Sequence, residues 1–296
     1  MAGVPRTAPT TPSRAATMPD ETIKYASVTS LTGLLPKNLT WWAGNAVADC
    51  AFNKQDEWKH IEEYPRGSGD IAYGREARYE YVRRAHDRIK NTAADLGSEV
   101  HAFVEAMNLG KPTPTWPLPV RARMAAFQKF VDDVQPEMEA AEFKCYSRTH
   151  GYAGTCDMLA RIDGRLAVID LKTSKSIWPE AALQVAAYSR ADFIIADPFH
   201  PGAVQNNKRG QKRYYTWTGP AEDEIPMPDV QAGYVLHVRD DGYDLHEVTD
   251  LDVAHRMFLA LLPIDEWERQ TKKTILRVVP KPDVLDQAIA EFGGAA

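Results

Sequence analysis

Asp170, Leu171 and Lys172 place a carboxylate and an ammonium group two residues apart, so in an extended strand both project from one face. Such a pair suits metal-assisted hydrolysis of a phosphate ester: the acid holds a divalent cation, and the base steadies the phosphate or the attacking water. A lone DxK tripeptide says little; Asp157 gives it meaning. Asp163-Gly164 separates two apolar runs, and an Asp-Gly pair in that setting is a favoured two-residue hairpin turn. Counting outward, Ile162 pairs with Arg165, Ala160 with Ala167 and Met158 with Ile169, and Asp157 falls opposite Asp170. Only an odd-length loop or a bulge breaks that register. Opposed side chains have Cβ atoms ~4.5–5.5 Å apart, where like charges are destabilising. The two acids need a counter-charge, or one must keep its proton. A divalent cation answers the need, and hard oxygen ligands favour Mg²⁺ or Mn²⁺. The competing reading makes Lys172 a structural ion-pair partner of one aspartate.

Other residues could complete such a site. His101 and Glu105 stand at i and i+4, on one helical face after Gly97, and His101 could supply a nitrogen ligand or be an ordinary helix histidine. Gly97 would let that helix approach another backbone closely. Gln184 and Tyr188 have the same spacing on the segment after Lys172. Gln184 could orient a water or a phosphate and Tyr188 could bond or stack on DNA; alternatively Tyr188 is core and Gln184 its polar flank. Glu142 could add a carboxylate or pair with Lys144. Lys208, Arg209, Lys212 and Arg213, followed by Tyr214, Tyr215 and Trp217, suit backbone contact plus base stacking, or form a solvated loop tip.

The elements that must position these residues follow from periodicity and punctuation. Residues 1–22 are rich in Pro, Thr and Ala without an apolar stretch, and read as a disordered tail. A helical part spans 23–135: a helix from Ser27, a second from Leu39 to Phe52, a polar loop over 55–73, then helices over Arg75–Lys90, Ala93–Leu109 and Val120–Val134. Gly110 and Pro112 punctuate the stop after Leu109. Trp41 and Trp42 could stack on bases, with burial in a helical layer favoured. A catalytic part spans 140–270. Its strands are Glu142–Ser147, Thr155–Ile162 and Leu166–Lys172, followed by a helix over Pro179–Ala191 and an insertion loop at 197–229. A hairpin around Asp240-Asp241-Gly242 and a helix from Asp250 to about Gln270 close it, leaving a C-terminal extension at 271–296. The order implies an α+β fold.

The chain has 296 residues with 44% hydrophobic content, enough for a sizeable core, and a net charge of −6 that argues against binding nucleic acid by bulk electrostatics. A local basic groove remains compatible with that balance. Three dispersed cysteines, Cys50, Cys145 and Cys156, suggest neither a disulfide framework nor a zinc knuckle, and fit a reducing cytoplasm. No apolar run reaches the ~18 residues of a membrane span.

Taken together, Gly97-x3-His101-x3-Glu105, Glu142, Gly154-Thr155-Cys156-Asp157, Asp170-Leu171-Lys172-Thr173 and Gln184-x3-Tyr188 resemble the motif series of the RecB-like nucleases of the PD-(D/E)XK superfamily, above all the bacteriophage Cas4-like exonucleases. The resemblance runs over roughly residues 23–270 and implies a restriction-endonuclease-like core, a mixed β-sheet flanked by helices with an N-terminal helical region. It implies that His101, Asp157, Asp170 and the Leu171 carbonyl bind Mg²⁺ or Mn²⁺, one ion or two. Lys172 would assist the nucleophile or phosphate, and Gln184 and Tyr188 would contact DNA. Glu142 matches an acidic position that some relatives have. Cas4 proteins hold an iron–sulfur cluster on four cysteines; with three dispersed ones here, no cluster is expected. Exonuclease action in phage recombination, replication or repair, and a recombination annealing protein as partner, follow from the resemblance alone. A structure-specific endonuclease and a non-catalytic DNA-binding accessory of the same fold stay open.

Overall fold

The region anticipated as helical from residue 23 begins with a strand. A computed structural model describes residues 23–111, 115–206 and 213–268, so the tail, the C-terminal extension, and Lys208, Arg209 and Lys212 lie outside the described residues. Strand β1 (Lys24–Ser27) leads directly into helix α1 (Val28–Thr32), with Ser27 as the last extended residue. Helix α2 (Thr40–Asn53) follows, then α3 (Gln55–Trp58). The expected loop over 55–73 instead holds α3 and a small hairpin of β2 (Glu63–Pro65) and β3 (Ile71–Tyr73). Helices α4 (Gly74–Arg83) and α5 (Ala85–Asn108) break at Arg84, earlier than periodicity implies, and Gly110 adopts a left-handed φ of 64° beyond the α5 end. Helix α6 (Leu118–Val134) completes this part.

The second part of the chain runs β4 (Glu137–Ser147), β5 (Tyr152–Ile162), β6 (Arg165–Lys172) and α7 (Glu180–Ser189). Asp163 and Gly164 have φ of 50° and 75°, the positive values a two-residue primed turn needs, and pairing runs from Ile162–Arg165 to Met158–Ile169 as the turn dictates. Next come β7 (Phe193–Ile195), β8 (Ala203–Asn206), β9 (Tyr214–Trp217) and β10 (Ile225–Pro226). Residues 197–229 are therefore not merely a loop. Strand β9 pairs with both β8 and β1, and β10 with β7, extending the sheet at its ends. Strands β11 (Ala232–Arg239) and β12 (Gly242–Glu247) form the last hairpin. The closing helical segment is split into α8 (Leu251–Leu259), capped by the Asp250 side chain on the Val253 N–H, and α9 (Leu261–Glu266).

The result is a mixed ten-stranded sheet flanked by helices, consistent with the restriction-endonuclease-like core. On one face α1, α7 and α8 bury Val28, Val185 and Phe258 against Leu159, Leu166 and Val168. On the other, α5 and α6 bury Val100, Val104, Phe127 and Phe130 against Met158, Ile169 and Leu171. Burial of these side chains contributes roughly 1.5–3 kcal/mol each. A third, mainly aromatic cluster of Tyr25, Tyr146, Phe193, Tyr215 and Trp217 lies beneath the β1–β9 junction. Trp41 is 79% exposed on α2, against the expectation of burial, because that helix buries only Ala46 and Cys50. Among the described residues no helix is long and apolar enough to cross a membrane.

Candidate active site

One edge of β5 is shared by two strands. Strand β1 pairs with Tyr152 and Ala153, and β6 pairs with residues from Met158 onward, leaving 154–157 without a ladder partner on that edge. Asp157 sits in this gap. It is not paired across the ladder with Asp170, as simple counting from the turn requires; pairing stops at Met158–Ile169. The Asp157 carboxylate spans the opening instead, accepting the Leu171 N–H at 2.6 Å through Oδ2. The other neighbour, β4, is irregular at the same level. Glu142 and Asp157 are skipped in the β4–β5 register, and Glu142 has φ 52°, a conformation disfavoured for a residue with a long side chain. The faces slip here: Ala140 and Phe143 pack in the same layer, as do Cys156 and Leu159. Both strands thus change the face they bury at the point where the acidic residues gather.

Helix α5 brings His101 to this point. Its Nδ1 lies 3.2 Å from Asp157 Oδ1, and one donor atom each from His101, Glu142 and Asp157 lie within 4.8 Å of one another. Gly97, one turn earlier, allows the approach: a Cβ there would meet Thr173 Oγ1 at 2.9 Å, so the close neighbour is a side chain rather than backbone. On the β6 side, Asp170 is 4% exposed and its Oδ2 lies 2.5 Å from Lys172 Nζ. The Lys172 ammonium is the partner of that buried oxygen. Lys172 spends its directed bond on Gln184 Oε1 at 2.8 Å. Gln184 Nε2 then donates to Thr32 Oγ1 at 2.9 Å, and Thr32 donates to the Val28 carbonyl at 3.2 Å. Since an ammonium group only donates, Lys172 fixes which way the Gln184 amide faces.

The electrostatics match a site built for a cation. Burial raises the Asp170 carboxyl, nearby Asp157 raises it further, and Lys172 works against both. Burial also disfavours charge on Asp157, but His101 and Lys172 outweigh it and hold that carboxyl below its ordinary value. Burial opposes the imidazolium of His101, yet Asp157 prevails and pushes His101 up to about 9. Burial, reinforced by Asp157, pushes Glu142 up to about 8. Without an added positive charge the cluster holds extra protons. The buried Asp170 carboxyl and the convergence of His101, Glu142 and Asp157 fit a divalent cation, and the donors are nitrogen and oxygen. Cys156 offers no thiolate: burial, then Asp157, holds its thiol well above the usual range.

The set opens into a cleft of about 750 Å³ lined by Lys37, Lys90, Glu105, Leu171 and Lys172 among others. Glu105 lies 3.8 Å from Lys111, at the cleft wall rather than among the cation donors. Lys90 is exposed and has no ion-pair partner among the described residues. Tyr188 does not reach this cleft: it is 2% exposed within the α7 layer, so its ring cannot stack on DNA as placed. Gly154 makes room for it, since a Cβ there would fall 2.5 Å from Tyr188 Cε1. Gln184 is likewise buried, its amide committed to Lys172 and Thr32. Tyr215 and Trp217 are core residues, not stacking platforms, and Arg213 lines a separate hollow with Lys24 and Tyr214. Sequence reasoning missed Thr32 entirely, because nothing local ties α1 to α7. A second gathering of potential ligands, His237, Asp244 and His246, is engaged otherwise: His237 Nδ1 contacts Arg239 at 3.0 Å and Nε2 contacts the Ser174 carbonyl at 2.6 Å.

No protein-family model matches the chain, and no curated protein matches it. Among solved structures it is similar to an alkaline exonuclease from Laribacter hongkongensis, with 10% identity and a TM-score of 0.26 over 60% of this chain and 85% of that one. It is also similar to the protein SSO0001, with 14% identity and a TM-score of 0.26 over 51% of this chain. In that match the chain spans only 58% of SSO0001. At this overlap nothing about the chain's chemistry follows from either likeness.

Proposed function

We propose that this chain is a divalent-metal-dependent nuclease that hydrolyses DNA phosphodiester bonds. The observation that carries the reading is the split β5–β6 ladder. It gathers His101, Glu142 and Asp157 beside the buried Asp170–Lys172 pair. Asp157, Asp170, His101 and Glu142 are the residues to hold Mg²⁺ or Mn²⁺, with the Leu171 backbone alongside. When bound, such an ion supplies Lewis-acid polarisation of the phosphate and of a water. Lys172, kept at the cleft wall by Gln184, directs positive charge at the phosphate as negative charge builds on its oxygens. Leu171 N–H and His101 hold the Asp157 carboxylate in one orientation. Lys90 supplies charge along the cleft for the DNA backbone, beside Lys37, which is paired with Glu180, so little sequence specificity is expected.

Exonuclease action, a place in phage DNA recombination, replication or repair, a recombination annealing protein as companion and a cytoplasmic setting rest on the motif resemblance. The test is digestion of end-labelled linear single- and double-stranded DNA beside covalently closed circles, with Mg²⁺ or Mn²⁺. Metal-dependent loss of linear DNA with circles intact supports an exonuclease, cutting of circles an endonuclease. Retention of DNA without cutting under either ion sinks the catalytic reading.

A further inference from the structure

Arg123, on α6, is a largely buried cation whose ion-pair partner lies on an exposed turn. Its side chain is 16% exposed, and its Nε is buried with no hydrogen-bond partner. Its ion-pair contact is Asp240, at 3.4 Å from Nη2, on the β11–β12 turn and 65% exposed. The Nε is enclosed by protein; it is the Nη2 end, met only by an exposed carboxylate at 3.4 Å, that an acceptor entering the hollow would engage.

The surroundings specify that acceptor. Arg123 lines a hollow of about 520 Å³ with Thr173, Ser174, Lys175 and Arg239. Thr173 and Ser174 also line the catalytic cleft, so hollow and cleft meet at the two residues that follow Lys172. The junction is held in place: the Ser174 carbonyl contacts His237 Nε2 at 2.6 Å, and Ser174 Oγ donates to the Ser176 carbonyl at 2.7 Å. Lys175 is exposed and has no ion-pair partner among the described residues. Arg239 is already tied to Asp241 and Asp244, so it shapes the field while Arg123 and Lys175 are left to grip. The acids present, Asp240 and Asp241, are 65% and 78% exposed on a turn, where solvent screens them.

We propose that this hollow is a phosphate subsite for the DNA backbone: Arg123 and Lys175 hold one phosphate of a strand whose reacting phosphate lies at Lys172. The phosphate takes over from Asp240 as the acceptor for Arg123. The proposal rests on the nuclease reading for the identity of its ligand, and its test is separate from that reading.

The measurement is binding of the full chain to fluorescein-labelled single- and double-stranded DNA in EDTA, so that nothing is cut, over a series of salt concentrations. Arg123→Gln and Lys175→Gln should each weaken binding about fivefold and lower the slope of log K against log salt by about 1, regardless of sequence. Asp240→Asn, which removes the competing acceptor, should tighten binding. Unchanged slopes in a folded Arg123→Gln, or weaker binding by Asp240→Asn, would overturn the subsite; should Arg123→Gln not fold, the Lys175 and Asp240 variants decide it. A closed single-stranded circle distinguishes the source of the phosphate. Equal losses on circle and linear strand support a backbone phosphate, and a loss confined to strands with a terminal phosphate rejects it. A wild type that binds but never cuts with metal sinks the nuclease reading alone. One that cuts while the slopes stay unchanged sinks the subsite alone.

Discussion

The Asp157 carboxylate accepts the Leu171 N–H at 2.6 Å, standing where a neighbouring strand would otherwise offer its carbonyl. One backbone amide therefore fixes the acid of β5 to the strand that carries Asp170 and Lys172.

Asp170 follows from that arrangement as a group whose charge is useful only with a cation present. In the metal-free protein Asp170→Asn should leave Tm unchanged or raise it, since burial, with Asp157 adding to it, disfavours the Asp170 charge despite its pairing with Lys172. Mn²⁺ should raise the Tm of the wild type, and the substitution should abolish that increase. Thermal unfolding with and without Mn²⁺ checks both; an undiminished Mn²⁺ effect in the variant would remove Asp170 from the ligand set.

The Thr32–Gln184–Lys172 relay makes Thr32 a positioning residue. Thr32→Val keeps its shape but leaves Gln184 Nε2 without an acceptor, freeing the amide to turn away from Lys172. A fall in kcat of about tenfold with KM little changed is expected, with Thr32→Ser restoring the rate. Steady-state kinetics on linear DNA decide it, and an equal loss in Thr32→Ser would reduce Thr32 to a packing residue.

Metal affinity should rise with pH. Ligation needs His101 neutral and Glu142 ionised, and in the metal-free protein their values are pushed up to about 9 and about 8. Affinity should climb by at least about tenfold per pH unit between 7 and 8, flatten above 9, and be accompanied by proton release. The sign for stability is opposite. Both groups bind protons more tightly folded than unfolded, so their contribution is complete at low pH. It is lost from about pH 4.5 for Glu142 and from about 6.5 for His101, as pH rises through 8 and 9. Calorimetric titration with Mn²⁺ across pH 6.5–9.5 tests this, and a flat affinity contradicts it.

Much of this site was legible locally. The Asp163-Gly164 turn set the β5–β6 register because a primed turn constrains pairing within a few residues on either side. The end of that ladder was not legible, since it depends on β1 claiming the same edge of β5 from over a hundred residues away. The left-handed Glu142 has no local signal, glutamate being an unfavoured residue there. Strands β8–β10 are two to four residues long and gain their order from non-local pairing, so composition read them as loop. Tyr188 and Gln184 showed their helical spacing; what they touch was decided by the approach of α1.

Gly154 offers a purely steric test of that packing. Gly154→Ala places a methyl 2.5 Å from Tyr188 Cε1 and 3.2 Å from Val28 Cβ, both on buried side chains. A destabilisation of about 1–3 kcal/mol is expected, visible as a Tm loss of several degrees. An unchanged Tm would show that the α7 layer is looser than described.

The most direct measurement of the central claim is single-turnover cleavage of one labelled linear duplex with Mg²⁺ or Mn²⁺ by wild type, Asp170→Asn and Lys172→Ala, each verified as folded. The wild type should cut, and either substitution should slow the chemical step by about a thousandfold or more while DNA binding persists. Cleavage by both variants at the wild-type rate would contradict a centre built on Asp157, Asp170 and Lys172.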